Sequence, residues 1–228
     1  MKITQQDYDV IVFLTRLVYY DLEYPEPFKC IKQIEISSGL KLNIFDMDEY
    51  ELFVICGTNS LRDWVANLKV GLGFIPNQYE QAYYYVKNNT PHHTKPIVLA
   101  GHSLGGGIAE YVASNLYYHE QVVCLTFNGC GCSHLIHPIL RRENDVFNIV
   151  TDNDILNCIT RPLAYFGCYM QHTGKTIMMK DEEHILLSVG SHSNFALFTK
   201  LDVNTLYEKR WHTWKRRWRN LIHSWKTV

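Results

Sequence analysis

No apolar run in this sequence reaches the ~18 residues needed to cross a bilayer, so a transmembrane helix is not expected. The chain opens Met-Lys-Ile-Thr-Gln-Gln-Asp-Tyr-Asp, polar where a signal peptide would carry its apolar core. That opening predicts a cytoplasmic or peripheral-membrane protein, with non-classical secretion as the other route. Seven Cys make an odd count with no regular spacing, which argues for reduced thiols and against a disulfide framework. Neither a P-loop nor a dinucleotide fingerprint occurs, and no internal repeat or long linker divides the chain. One further absence is local. Residues 209–228 contain no Asp or Glu but hold seven Lys or Arg. The other 208 residues carry 15 basic and 23 acidic side chains, a net of −8 in a chain whose total is −1.

What is present is the composition of a globular enzyme-sized domain. The 228 residues are 46% hydrophobic and 20% charged, and a domain of this length buries roughly 70% of its extended surface. Thr4 and Asp7 form a capping-box pattern, with Asp in place of Glu. Val10, Ile11, Leu14, Leu17 and Val18 then keep the 3.6-residue period, which predicts a helix over residues 5–20. Ile31, Ile34 and Ile36 suggest a short strand, and residues 40–46 and 51–56 two more joined by an acidic turn. Residues 77–88 and 104–118 read as helices. Residues 96–100, 122–127 and 146–150 read as buried strands, and 175–180 as a weaker one. Alternating strands and helices predict an α/β fold with a mostly parallel sheet flanked by helices. Residues 1–202 form one domain in this reading, and residues 203–228 a basic, Trp-rich helical appendage.

The strongest motif is Gly101-His102-Ser103-Leu104-Gly105, between an apolar strand and a helix. This is G-x-S-x-G in the strand–turn–helix context that gives it meaning. The turn is so tight that a Cβ at the flanking positions would collide with strand or helix, hence Gly. It lifts the Ser103 hydroxyl clear of the backbone at a helix N-terminus, whose dipole favours the negative charge of acyl transfer.

With its strand and its Gly-His-Ser-Leu-Gly-Gly run, the chain resembles the class 3 lipases of the α/β-hydrolase fold. Phe53 to Ser60, Asp63-Trp64, Asn67-Leu68, Gly73-Phe74 with Tyr79, Thr126-Phe127-Asn128-Gly129, the Asn148 to Leu156 stretch and His192-Ser193 resemble that family's segments in the same order. The resemblance covers roughly residues 50–198. It departs at Cys56, where the family usually has Arg.

A serine hydroxyl needs a base within hydrogen-bond reach, and in this fold the order is Ser, then Asp or Glu, then His. Asp145, Asp152, Asp154, Asp181, Glu182 and Glu183 are the acids that follow Ser103 at suitable places, with Glu120 and Glu143 less well placed. Asp152 and Asp154 both follow a strand. The resemblance favours Asp154 and leaves Asp152 as a turn residue. His192 matches the family's late histidine, with His184 the other candidate, and His102 reads as a structural or substrate-wall residue. The oxyanion hole implied is the Leu104 backbone N–H with Thr58. Leu61, Trp64, Val65 and Leu68 share a face that would suit either a lipid-touching lid or a fixed core helix.

The remaining clusters are weaker. Cys130, Cys132, His134 and His137 do not match zinc spacing, so no metal and no cofactor is expected. Trp211, Trp214, Trp218 and Trp225 fall on or near one face of a helical tail rich in Lys and Arg. Such a helix suits an anionic membrane surface. It would equally suit packing on the acidic body or on a protein partner; nucleic acid is the least favoured partner. The reading as a whole is a serine hydrolase of lipid carboxylic esters, of triacylglycerol lipase or phospholipase type. The alternatives are a short-chain esterase or thioesterase, or a non-catalytic protein of this fold that binds lipid or a partner.

Overall fold

The computed structural model describes residues 1–36, 38–56, 75–90, 95–116, 121–136, 145–154, 171–182 and 192–208. Helix α1 (Gln5–Tyr19) starts at the expected capping box: Asp7 N–H donates to Thr4 Oγ1 at 3.1 Å and Thr4 N–H to Asp7 Oδ2 at 3.1 Å. Its buried stripe is Tyr8, Ile11, Val12, Leu14, Leu17 and Val18, the 3.6-residue pattern of the sequence made physical.

Seven strands follow: β1 (Cys30–Glu35), β2 (Lys41–Asp46), β3 (Glu51–Cys56), β4 (Ile97–His102), β5 (Val122–Phe127), β6 (Val146–Thr151) and β7 (Lys175–Met179). They form one sheet in sequence order. β1, β2 and β3 pair antiparallel, and β3 to β7 run parallel. Helix α2 (Asn77–Asn89) lies between β3 and β4 in the chain, and α3 (Leu104–Asn115) between β4 and β5. Two short helices, α4 (Phe195–Phe198) and α5 (Asn204–Tyr207), follow β7. Four residues are too few to show a period, which is why the sequence did not announce them.

Successive strand residues point to opposite faces, and the core divides accordingly. Val54, Ala100, Leu125 and Phe147 stand in register across four strands and face α1, α4 and α5. Phe53, Leu99 and Cys124, one residue earlier in each of three strands, face α2 and α3. With helices on both faces, the central strands are buried along their whole length, so they read as unbroken apolar runs.

The last described segment is tied to the first. Ile3 N–H donates to Tyr207 Oη at 2.7 Å, Val203 N–H to Gln5 Oε1 at 2.8 Å, and the Gln5 amide to the Leu201 carbonyl at 3.1 Å. Val203 and Leu206 are buried in the α1-side core. Residues 203–208, which the sequence reading assigns to the appendage, therefore lie against the body. Helix α5 ends at Tyr207 and is followed by Glu208, whose backbone is extended. Among the described residues no helix is long and apolar enough to cross a membrane.

Candidate active site

The carboxyl ends of β4, β5 and β6 lie side by side, and open α/β sheets carry their sites along that edge. β4 runs into Ser103, which sits at φ 56, ψ −125 and caps the 12-residue α3. Its N–H continues the ladder to the Phe127 carbonyl at 3.1 Å. Its own carbonyl accepts from Gly107 and Cys130, each at 3.2 Å. The flanking glycines are required by space. A Cβ on Gly101 would overlap the Gly105 carbonyl, and one on Gly105 the Ile55 carbonyl of the neighbouring strand. Leu104 occupies the first helical position, where the N–H has no intrahelical acceptor.

β6 ends at Thr151 and the chain turns into Asp154, whose N–H donates to the Thr151 carbonyl at 3.3 Å. The Asp154 carboxylate is wholly buried and hydrogen-bonds Nδ1 of His192, which is itself 8% exposed. Asp152, two residues earlier, does something else: its Oδ1 accepts from the Asp181 N–H at 3.0 Å and pins the end of β7. The structure thus brings Asp154 and His192 together and turns Asp152 toward the chain leaving β7.

His192 is held against the Ser103 turn. Its ring lies 4.7 Å from the His102 ring, centroid to centroid, and His102 immediately precedes Ser103. The His192 carbonyl accepts from His102 Nε2 at 2.6 Å and from the Asn128 amide at 3.0 Å. With Nδ1 on Asp154, Nε2 is the nitrogen left for a proton from a hydroxyl. His102 is buried, and its imidazole is pushed well below the ordinary histidine range, first by loss of solvent and then by the His192 charge, against the hydrogen bond to the His192 carbonyl. Asn128 is named in the sequence only as part of a strand-end match and is given no role there. The only local signal is an Asn-Gly after a strand, which reads as a turn.

Other sequence candidates resolve differently. Cys130 and Cys132 are buried, and burial pushes both thiols up, reinforced by Asp154 and Glu110 at Cys130 and by Glu110 at Cys132. Cys132 Sγ–H donates to the Gly107 carbonyl at 3.4 Å, so it packs beneath α3. Thr58, Leu61, Trp64, Val65, Leu68, His137, His184, Trp211, Trp214, Trp218 and Trp225 lie outside the described residues.

Residues 26–144, more than half of the chain, match the profile of a phospholipase-like family, the Tle-like phospholipase domain. The chain belongs to that family. The matched stretch of this Tle-like phospholipase domain contains Ser103 and Asn128 and stops before Asp154 and His192. Among curated proteins, an extracellular phospholipase A1 of Serratia liquefaciens is 34% identical over 99 residues, 43% of this chain and 30% of that protein. The match therefore spans under a third of that relative's length. Among solved structures, a fungal lipase in complex with an inhibitor superposes with a TM-score of 0.60 at 18% identity, over 86% of this chain and 96% of that one. Rhizomucor miehei lipase with its propeptide gives 0.54 at 15% identity, over 85% and 76%. A triacylglycerol lipase described as having a serine-protease triad gives 0.55 at 18%, over 77% and 80%. At these identities the likeness is one of fold. The chain has the mostly parallel sheet flanked by helices that its sequence pattern predicts, in the α/β-hydrolase arrangement that the resemblance implies.

Proposed function

We propose that this chain is a serine hydrolase of lipid carboxylic esters, with Ser103, Asp154 and His192 as its triad. The observation that carries the proposal is the buried Asp154–His192 hydrogen bond, set beside the turn that carries Ser103. Ser103 Oγ attacks the acyl carbonyl as His192 Nε2 takes its proton. Asp154 holds the Nδ1–H tautomer and stabilises the imidazolium. The Leu104 N–H, with Thr58, receives the oxyanion. The alcohol leaves with the proton from His192, and water then releases the fatty acid by the same base. Family membership and the phospholipase A1 relative support a phospholipid ester as substrate, with triacylglycerol as the rival lipid.

A fluorophosphonate probe tests the nucleophile. Wild type should be labelled at one site, and Ser103→Ala should lose both label and turnover. A folded wild-type protein that takes no label would leave only the non-catalytic reading. Rates on p-nitrophenyl esters of rising chain length, set against release of fatty acid from phosphatidylcholine vesicles, separate phospholipase from short-chain esterase. The basic, Trp-bearing stretch at 209–228 is proposed as a peripheral contact with anionic membrane.

A further inference from the structure

The geometry points to a two-donor clamp on the base: His102 and Asn128 both bond the His192 carbonyl and so fix the imidazole between Asp154 and Ser103. They are positioning residues, and the inference rests on the triad reading above. The two donors arrive from different strands, His102 from the end of β4 and Asn128 from just past β5. A carbonyl oxygen has two lone pairs, and these two bonds match that number.

Asn128 closes a ring of hydrogen bonds. Asp154 N–H donates to the Thr151 carbonyl, and Thr151 N–H donates to Asn128 Oδ1 at 2.8 Å. Asn128 Nδ2 donates to the His192 carbonyl, and His192 Nδ1–H donates to Asp154. Acid and base are therefore joined twice, once through their side chains and once through Thr151 and Asn128. Asn128 is wholly buried and stands at φ 44, a left-handed conformation that Asn tolerates better than most residues. Such a backbone persists where its surroundings over-determine it, and here both ends of its amide are engaged.

His102 ties this ring to the nucleophile. Its imidazole is wedged between Tyr19, at 4.4 Å between centroids, and Phe195, at 4.8 Å. Burial keeps it neutral, so it has a single N–H. The His192 carbonyl can only accept, so that proton sits on Nε2, and Nδ1 has no hydrogen-bond partner among the described residues. A ring held in this way passes the position of the Ser103 turn directly to the backbone of the base.

The test uses His102→Phe, which keeps the packed ring but loses the donor, and His102→Gln, which restores an amide donor at similar reach. Asn128→Asp keeps the acceptor for Thr151 but loses the donor, and Asn128→Gly keeps the left-handed backbone should the aspartate not fold. Three readouts apply to the full-length protein: the rate of fluorophosphonate labelling, kcat and KM on a p-nitrophenyl ester, and the low-field proton NMR signal of His192 Nδ1–H. Misplacing a catalytic group by an ångström costs up to about a hundredfold. We expect labelling and kcat to fall about tenfold to a hundredfold in His102→Phe and in the Asn128 variants, with KM within about twofold. The low-field signal should weaken, and His102→Gln should regain most of the rate. Folded variants that label at the wild-type rate with an unchanged signal would overturn the clamp. Failure of the triad reading looks different: wild type takes no label, while the His192 signal still responds to His102→Phe.

Discussion

Ser103 occupies a backbone region that a side chain rarely adopts, at φ 56, ψ −125. Strain of this kind costs on the order of 1–3 kcal/mol and is kept where it serves a site. Here it is enforced by the glycines around it, because the sheet and the helix approach too closely for a Cβ. Gly105→Ala should therefore destabilise the protein by about 3 kcal/mol, read as a lower urea midpoint, since the Ile55 carbonyl it would strike is strand backbone. The Gly-x-Ser-x-Gly spacing made this residue-level arrangement readable in advance, as only one local geometry suits it. The choice between Asp152 and Asp154 was not readable from local spacing, because both follow the same strand, with only Asn153 between them. It took the fold to aim one at the Asp181 N–H and the other at His192.

At the scale of elements, the strands and the longer helices lie where periodicity and capping put them, because each buries a face that the sequence marks with apolar residues. Helix α3 holds a feature that pattern alone conceals. Glu110 lies on its packed face, wholly buried. Its Oε1 accepts from the Thr173 N–H and, at 2.9 Å, from Thr173 Oγ1. Its Oε2 pairs with His172 Nδ1 at 2.7 Å. The helix that follows the Ser103 turn is thereby fastened to the chain entering β7. Glu110→Ala takes the acceptor from the buried Thr173 N–H and the partner from His172, so it should cost about 1–3 kcal/mol, measured by urea denaturation. Loss of activity in step with the unfolded fraction is expected, since this carboxylate belongs to the scaffold. The sequence analysis gives Glu110 no role, because its partners lie 62 and 63 positions further along the chain.

At the scale of the whole molecule, buried ionisable groups make stability depend on pH with a definite sign. His102 is held neutral in the native state, while the unfolded chain takes up its proton below about 6.5. Its contribution is therefore complete above that pH and is lost as pH falls toward the depressed native value, at up to about 1.4 kcal/mol per pH unit. Denaturation of wild type and His102→Phe at several pH values should show wild type losing stability the faster below pH 6.5, and parallel curves would contradict this. The charge asymmetry of the chain has its own test. Because Lys175 Nζ donates to the carbonyls of Thr205, Leu206 and Glu208, a truncation should remove only 209–228. That variant should keep its thermal midpoint and lose affinity for phosphatidylserine vesicles in a sedimentation assay. The sequence by itself determined the order of elements, the Gly-x-Ser-x-Gly turn and the alternation that builds the sheet, since these depend on residues close together in the chain. The tertiary structure alone decided that Asn128 and His102 hold the His192 carbonyl and that Glu110 is buried, and it set Asp154, the acid that the resemblance favours, on His192. Those depend on side chains 38, 64, 90 and 62 positions apart, and only packing of the strands side by side brings such residues into hydrogen-bond range.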